Sequence, residues 1–185
     1  MNQYSNYTTT VAAPFLTQAV SYSFSVQIGT CGGNFSNWTS IWIDFNKNGS
    51  FTDAGEMVYT NPTWTSGPHT ESGTITIPAT ASTGSTRMRV VNIETTAQIS
   101  SCGTYTWGET EDYNVNIGVP PTYDIAMNSI LSPSSWSVGN NTLQVKVGNF
   151  GSTTLTGTDV GYSINGGTPV TQTITFPTAL TLGQT

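Results

Sequence analysis

Two short stretches hold six of the ten acidic residues of this 185-residue chain, and both have spacings that suit the binding of a cation. The first runs from Asp44 to Glu56, and the second is Glu109-Thr110-Glu111-Asp112. Charged residues make up only 8% of the chain, against roughly 25% of an average soluble domain. Carboxylate, amide and backbone oxygens are the ligands that calcium prefers. The sequence therefore predicts a structural Ca²⁺ ion.

The first stretch follows part of a calcium-loop pattern. Asp44, Asn46 and Asn48 match the first, third and fifth positions of an EF-hand loop, and Gly49 takes its sharp turn. The pattern then fails, because its last acidic position falls on Gly55 and no flanking helices are predicted. A plain Asn-Gly hairpin turn, or another ion, remains an alternative. The predicted ligands are Asp44, Asn46, Asn48, the Ser50 carbonyl, Asp53, Glu56 and Glu109.

The second stretch has two interpretations. Strand alternation places Glu109 and Glu111 on one face and Asp112 on the other. Arg87 and Arg89 share one face of their own strand in the same way. The arginines and acids could form cross-strand ion pairs that stabilise a sheet, with Arg87, Arg89, Glu111 and Asp112 as structural partners. Alternatively, one of the acids could complete the calcium site.

The elements that carry these residues are predicted to be strands. Apolar residues alternate with polar ones in short runs separated by Gly, Pro, Asn and Ser, which is typical of antiparallel sandwiches. Pro120-Pro121 interrupts the pattern, so we place a linker at 119–122. The expected fold is all-β, with a jelly-roll-like module at 1–118 and an incomplete immunoglobulin-like sandwich at 123–185. The second module is too short for the usual set of about seven strands, which predicts an exposed edge.

The composition excludes several functions. Lys and Arg total four, too few for a nucleic-acid surface, and no apolar run reaches the roughly 18 residues of a membrane span. The sole histidine, His69, has no convincing catalytic neighbours, so we do not expect an enzyme. A net charge of −6 and many hydroxyl and amide side chains suit an extracellular or cell-surface protein. No signal peptide is recognisable, and we expect this chain to be a fragment of a larger secreted protein.

Two cysteines and two tryptophans add further predictions. Cys31 and Cys102 fit no zinc spacing, and an extracellular location favours a disulfide between them, worth roughly 4 kcal/mol. Two free buried thiols are the alternative. Trp64 and Trp107 lie in Thr- and Gly-rich loops and are the candidate exposed aromatic residues for binding a ligand such as a sugar.

The chain resembles the GEVED domain of secreted bacterial proteins over roughly residues 4–118. The resemblance rests on 42–49, 53–56 and 87–90, and on Cys102-Gly103-Thr104-Tyr105 with Gly108 to Tyr113. Thr110 departs from it, since the family usually has Val there. The resemblance implies a non-catalytic β-sandwich module.

Residues 123–185 more weakly resemble the immunoglobulin-like CARDB module, through Asp124-Ile125-Ala126, 138–140, 147–151 and 162–167. Such modules occur in large surface adhesins or as appendages of secreted enzymes, including metalloproteases. We therefore expect a calcium-rigidified part of an adhesin, scaffold or filament. The alternative is a carbohydrate-binding module of a secreted hydrolase. The partner, a surface glycan or a protein, stays open, and the incomplete second module could self-associate by strand addition.

Overall fold

A computed structural model describes residues 3–133, 135 and 137–185, and these residues form strands, turns and loops. The all-β sandwich class predicted from the alternation is confirmed. The chain divides into two compact units, Met1–Val119 and Pro120–Thr185. The strands of unit 1 are β1 Tyr4–Asn6, β2 Phe15–Thr17, β3 Ser21–Ile28, β4 Ser36–Ile43, β5 Met57–Thr60, β6 Thr65–Ser66, β7 His69–Thr76, β8 Gly84–Ile93 and β9 Gly108–Gly118. Those of unit 2 are β10 Ile125–Ser132, β11 Gln144–Asn149, β12 Leu155–Tyr162 and β13 Val170–Leu180.

The first layer of unit 1 is a seven-stranded sheet with the main order β1-β9-β8-β4-β5. The short strands β2 and β6 extend it by pairing with β9 and β4. Its centre is antiparallel, with Arg89 opposite Asp112 and Trp42 opposite Arg89. By contrast, β1 and β2 both pair with β9 in parallel. Parallel neighbours require a long crossover connection, so two remote parts of the chain complete this edge of the sheet.

The second layer is an antiparallel ribbon of β3 and β7 that packs on one face of the sheet. Alternation buries one side chain in two along each strand, so the ribbon and the sheet contribute facing rows of apolar groups. We call this covered side of the sheet the ribbon face. The buried core between the layers comprises Ile41, Ile43, Phe45, Ile75, Ile77, Ala81, Val90, Val115 and Ile117.

Loops cover the opposite side of the sheet, which we call the loop face. Trp42 and Val91 point to this side and pack with Phe51, a residue of the stretch 44–56. Ile99 and Tyr105, from the segment between β8 and β9, complete the cluster. Both faces of the central strand β4 are therefore buried, which explains why its inner half carries Ile41-Trp42-Ile43 without a polar residue.

Unit 2 is much less well packed. It consists of two hairpins, β10–β11 and β12–β13, and only Gly148, Asn149 and Gly151 are buried among its described residues. The Asn149 amide joins the hairpins by donating to the carbonyls of Thr153 and Leu180, each at 2.8 Å. Several large apolar side chains are exposed, among them Met127, Ile130, Leu131, Tyr162, Ile164 and Val170.

One turn of unit 2 has the backbone that its residue types favour. Asn165 and Gly166 both have positive φ, at 51° and 73°, between β12 and β13. This is the backbone that an Asn-Gly hairpin turn requires.

Within the described part of the chain, no helix has the length and apolar character needed to cross a membrane.

Candidate functional site

The segment 44–56, which we call the polar loop, is organised by the carboxylate of Asp44 at the end of β4. Its Oδ1 accepts from the backbone amides of Lys47 at 2.7 Å and Asn48 at 3.2 Å, and its Oδ2 accepts from Gly49 at 2.9 Å. Lys47 and Gly49 have positive φ, so the chain reverses tightly around the carboxylate. Asp44 is itself buried at 5% exposure. The Asp at the first position therefore holds the turn through its own hydrogen bonds.

Asn46, Asn48, Ser50 and Asp53 continue this pattern along the loop. The Asn46 Oδ1 accepts from the Asn48 amide at 3.0 Å, and the Asn48 Oδ1 accepts from the Ser50 amide at 2.8 Å. Asn48 Nδ2 donates to Asp53 Oδ2 at 2.8 Å, and the pKa of Asp53 is lowered by hydrogen bonds from Asn48 and Asn46. Asn46, Asn48, Ser50 and Asp53, four of the residues predicted as ligands, are thus linked by hydrogen bonds within one loop.

Glu56 is the last residue of the polar loop, and one of its carboxylate oxygens has no hydrogen-bond partner. Its Oε1 accepts from the Phe45 amide at 3.0 Å, whereas its Oε2 is buried and has no hydrogen-bond partner. Burial raises the pKa of Glu56, and the charges of Asp44 and Asp53 raise it further. A buried unpaired oxygen costs roughly 1–3 kcal/mol.

The donor chemistry of the polar loop fits a hard cation such as Ca²⁺. A carboxylate oxygen has two lone pairs, so one that accepts from an amide can still bind an ion. Among the described residues, no group of three or more His, Cys, Asp or Glu side chains is placed to hold a metal. An ion bound here would therefore also need amide and backbone oxygens, and Ser50 offers a carbonyl of this kind.

The structure does not bring Glu109 to the polar loop, which corrects that part of the predicted ligand set. The backbone amide of Asp44 donates to the backbone carbonyl of Arg87 on β8, whereas Glu109 lies opposite Asn92 in the β8–β9 pair. Five residues of β8 separate these positions, which is about 17 Å along the strand. Glu109 instead accepts from Ser5 Oγ at 2.7 Å. The two acidic stretches are therefore not two walls of one site.

Asp112 lies on the loop face and binds the arginines. Arg89 forms a bidentate ion pair with Asp112, in which Nε donates to Oδ1 at 2.7 Å and Nη2 donates to Oδ2 at 2.8 Å. Arg87 Nη1 donates to Oδ2 at 3.2 Å, and the Tyr4 hydroxyl at 3.0 Å. Burial alone would raise the pKa of Asp112, but these donors outweigh it and lower the pKa. The partner of both arginines is Asp112 and not Glu111, because Glu111 projects from the other face of β9.

Arg89 connects Asp112 to both loops that cover the loop face. Its guanidinium carbon lies 4.9 Å from the ring centroid of Phe51 in the polar loop, a cation–π arrangement. Its Nη1 donates to the Ser101 carbonyl at 3.0 Å. We call Arg89, Asp112 and Phe51 the arginine clamp, since one guanidinium holds a strand and two loops together.

A cleft of about 500 Å³ opens on the ribbon face at the Glu109 end of the sheet. One wall is the end of β3 and residues 29–31, and the other is formed by β8 and β9. Glu94, Glu109 and Glu111 supply three carboxylates, and Trp107, which is 55% exposed, supplies an aromatic ring. Clefts of this size with a few polar groups are typical ligand sites.

The cysteines do not form the predicted disulfide. Cys31 and Cys102 are both free and exposed. Cys31 lines the cleft on the ribbon face, whereas the Cys102 sulfur lies 3.5 Å from Arg89 Nη1 on the loop face. Because the sheet lies between them, the two Cα atoms cannot reach the roughly 7 Å that a disulfide allows. The alternative of two buried thiols is also wrong.

Trp64 and Trp107 are exposed, as their loop positions predicted, at 44% and 55%. They differ in surroundings, because Trp107 lines the cleft and Trp64 does not. Trp107 therefore belongs to this cavity with its polar groups, and Trp64 lies outside it.

Comparison with known families supports the first resemblance. Residues 38–116 match the GEVED domain family. The GEVED segment covers less than half of the chain, from β4 almost to the end of β9, and contains the polar loop and the whole arginine clamp. No curated protein and no solved structure matches the chain. The CARDB resemblance of 123–185 stays a prediction.

Sequence reasoning missed two parts of the GEVED segment. Phe51 looked like one apolar residue in a polar turn, and only the pairing of Trp42, Arg89 and Asp112 across three strands shows why it is there. Glu94 was missed as a cleft residue because the cleft combines segments that are remote in sequence. The run of Glu109 and Glu111 without a facing cation was the available signal for an open acidic surface.

Proposed function

We propose that the chain is a non-catalytic part of an extracellular, cell-surface adhesin or scaffold in which unit 1 presents a binding cleft. The cleft carries this proposal, because it combines an exposed Trp107 with three carboxylates beside a rigid two-layer core. The arginine clamp supports the proposal, because Arg89 holds both loops of the loop face in place. Its charge and that of Asp112 are paired with each other and so serve the fold. A scaffold of this kind suits recognition better than chemistry.

Calcium at the polar loop belongs to the same proposal. The buried, unpartnered Oε2 of Glu56 supports it, because an adjacent cation would satisfy that oxygen and offset the repulsion from Asp44 and Asp53. Asp44, Asn46, Asn48, the Ser50 carbonyl, Asp53 and Glu56 would hold the ion. Its role would be to stabilise the loop that carries Phe51 and, through Phe51, the clamp.

Thermal melts with excess calcium and with EDTA test the calcium site. A free calcium concentration of about 100 times Kd should raise the free energy of unfolding by about 2.7 kcal/mol and so raise the melting midpoint. Glu56→Gln keeps an acceptor for the Phe45 amide but removes the charge, so its midpoint should respond much less to calcium. Magnesium is the matched control ion, because it demands a stricter octahedral set. Equal midpoints with calcium and EDTA would contradict the site.

The second candidate function is a carbohydrate-binding module of a secreted hydrolase, and Trp107 in the cleft favours it. Exposed aromatic rings beside carboxylates and amides match the mixed apolar and hydroxyl surface of a sugar. A glycan array tests it with Trp107→Ala, and Trp64→Ala is the matched control because Trp64 lies outside the cleft. Binding that Trp64→Ala removes but Trp107→Ala leaves intact would contradict the cleft as the binding site.

Self-association through unit 2 is a further element of the scaffold proposal. Its two hairpins leave large apolar side chains exposed, and strand addition would cover them. Analytical ultracentrifugation of the full chain should show mass rising with concentration, and Ile130→Lys in the exposed row of β10 should reduce it. A monomer at every concentration would exclude this route.

A further inference from the structure

The charges that line the cleft are of one sign. Glu94, Glu109 and Glu111 are present, whereas no Lys, Arg or His is found among the described residues that line the cleft. Like charges gathered in one cavity repel each other, and the charge of Glu109 contributes to this at Glu111. A bound positive group would relieve that repulsion.

The lysine and arginine side chains of unit 1 interact with groups outside the cleft. Arg87 and Arg89 bind Asp112 on the loop face, and Lys47 Nζ donates to the Thr83 carbonyl at 2.8 Å. In the cleft, Glu109 accepts from the Ser5 hydroxyl and Glu111 from the Tyr113 hydroxyl, both neutral donors. Glu94 has no side-chain hydrogen bond or ion pair within the described residues. Among the residues that the structure describes, these three carboxylates therefore have no cationic partner.

The three carboxylates are not grouped around one point of the cleft. Within the residues that the structure describes, no three acidic, histidine or cysteine side chains are grouped closely enough to hold one. Carboxylates that are spread around a cavity of about 500 Å³ suit an organic ligand, with each acid binding a different part of it.

The remaining lining indicates what the organic part should be. Trp107 offers a ring face on which a sugar ring or a cation can lie. Gln27, Thr30 and Asn92 add amide and hydroxyl groups that suit a ligand with many hydroxyls. An ammonium on such a ring would meet both the carboxylates and the aromatic face.

We infer that the cleft binds an oligomer of amino sugars, with its primary ammonium groups held separately by Glu94, Glu109 and Glu111 and one sugar ring against Trp107. This inference rests on the proposed function of unit 1 as a binding module and specifies its ligand class. It assigns the negative charge of this surface to ligand selection, separately from the calcium proposed for the polar loop.

Calorimetric titration with glucosamine oligomers and with N-acetylglucosamine oligomers of the same length tests the inference. Acetylation replaces the ammonium with a neutral and larger acetamide, so the free amine should bind at least about 10-fold more tightly. The part of this advantage that comes from charge should shrink in high salt. The double variant Glu109→Gln, Glu111→Gln should lose that advantage. Asp159→Asn, which removes a carboxylate from unit 2, should keep it.

The location is tested through the native thiols. In a Cys102→Ser variant, the amino sugar should slow maleimide labelling of Cys31, which lines the cleft. In the matched Cys31→Ser variant, labelling of Cys102 on the loop face should not change. Protection of Cys102 alone would overturn the assignment to the cleft.

The outcomes separate this inference from the broader proposal. Equal binding of the amine and acetylated series, removed by Trp107→Ala, would overturn the ammonium assignment and leave the binding module intact. Binding of oligolysine without binding of either sugar series would overturn the sugar assignment. Binding of both series unchanged by Trp107→Ala would overturn the cleft as the site and the proposed function with it.

Discussion

Glu111 and Asp112 are neighbours on β9 with opposite surroundings. Asp112 is 1% exposed and receives donors from Arg89, Arg87 and Tyr4, and these lower its pKa. Glu111 faces the cleft, where burial and the charge of Glu109 raise its pKa. A single acidic motif thus serves two faces of one sheet. The comparison indicates that acids with an internal counter-ion stabilise the fold, whereas acids without one are available to a ligand.

Removing Arg89 from the loop face should change the stability of the fold more than any other substitution proposed below. Arg89→Ala leaves Asp112 buried without its main partner and should lower the free energy of unfolding by about 3–5 kcal/mol. Urea denaturation measures this loss. Arg89→Lys should recover only part of it, because an ammonium cannot reproduce the bidentate ion pair. Full stability in Arg89→Ala would contradict a structural role for the clamp.

The ionisation of Asp112 should make the stability of the fold depend on pH. Its folded pKa lies below the ordinary 3.8, so its contribution is present above pH 3.8 and is lost as the pH falls through the folded value. Asp112→Asn should therefore cost about 2–3 kcal/mol at pH 7. The gap to the wild type should narrow between pH 4 and pH 2. Urea midpoints across this range give the result, and a constant gap would argue against an ionised Asp112.

A smaller effect should follow from changing the ring beside Arg89. Phe51→Leu keeps most of the buried apolar volume but removes the aromatic face, so it should cost about 1 kcal/mol. In a double-mutant cycle with Arg89→Met, a coupling energy of about 0.5–1 kcal/mol would identify the cation–π contact. Additive effects would show that Phe51 contributes through packing alone.

A substitution of Glu111 on the ribbon face should change the stability least. Because the folded pKa of Glu111 is raised, its ionised form at neutral pH is disfavoured by folding, and Glu111→Gln should be neutral or slightly stabilising. Its change should stay within about 0.5 kcal/mol. Thermal melts at pH 7 beside Asp112→Asn make the comparison directly. A large destabilisation by Glu111→Gln would remove the distinction between the faces.

Much of unit 1 could be predicted from local pattern. Period-2 alternation predicted an all-β fold, and it placed Glu109 and Glu111 on one face of their strand and Asp112 on the other. The convergence of Asp44, Asn48 and Asp53 followed from their closeness in sequence.

What failed depended on register and on contacts between remote segments. Nothing local fixes that Glu109 lies opposite Asn92 and so far from Asp44. The cysteine prediction failed for the same reason, because sequence does not show that the sheet separates Cys31 from Cys102. The strands β1 and β2, three residues each, are too short to carry a pattern and form because β9 offers them an edge.

The parallel pairing of β1 and β2 with β9 has a consequence for folding and handling of this protein. Tyr4 lies opposite Thr110, so this edge can close only after more than a hundred residues have been brought together, a slow non-local step. A truncated chain beginning at residue 38, where the family match starts, would lack β3 and also β1 and β2, the two strands that pair with the edge of β9. Its β9 would then present an open row of amides and carbonyls, a template for aggregation. The smallest soluble form of this module should therefore begin before Tyr4.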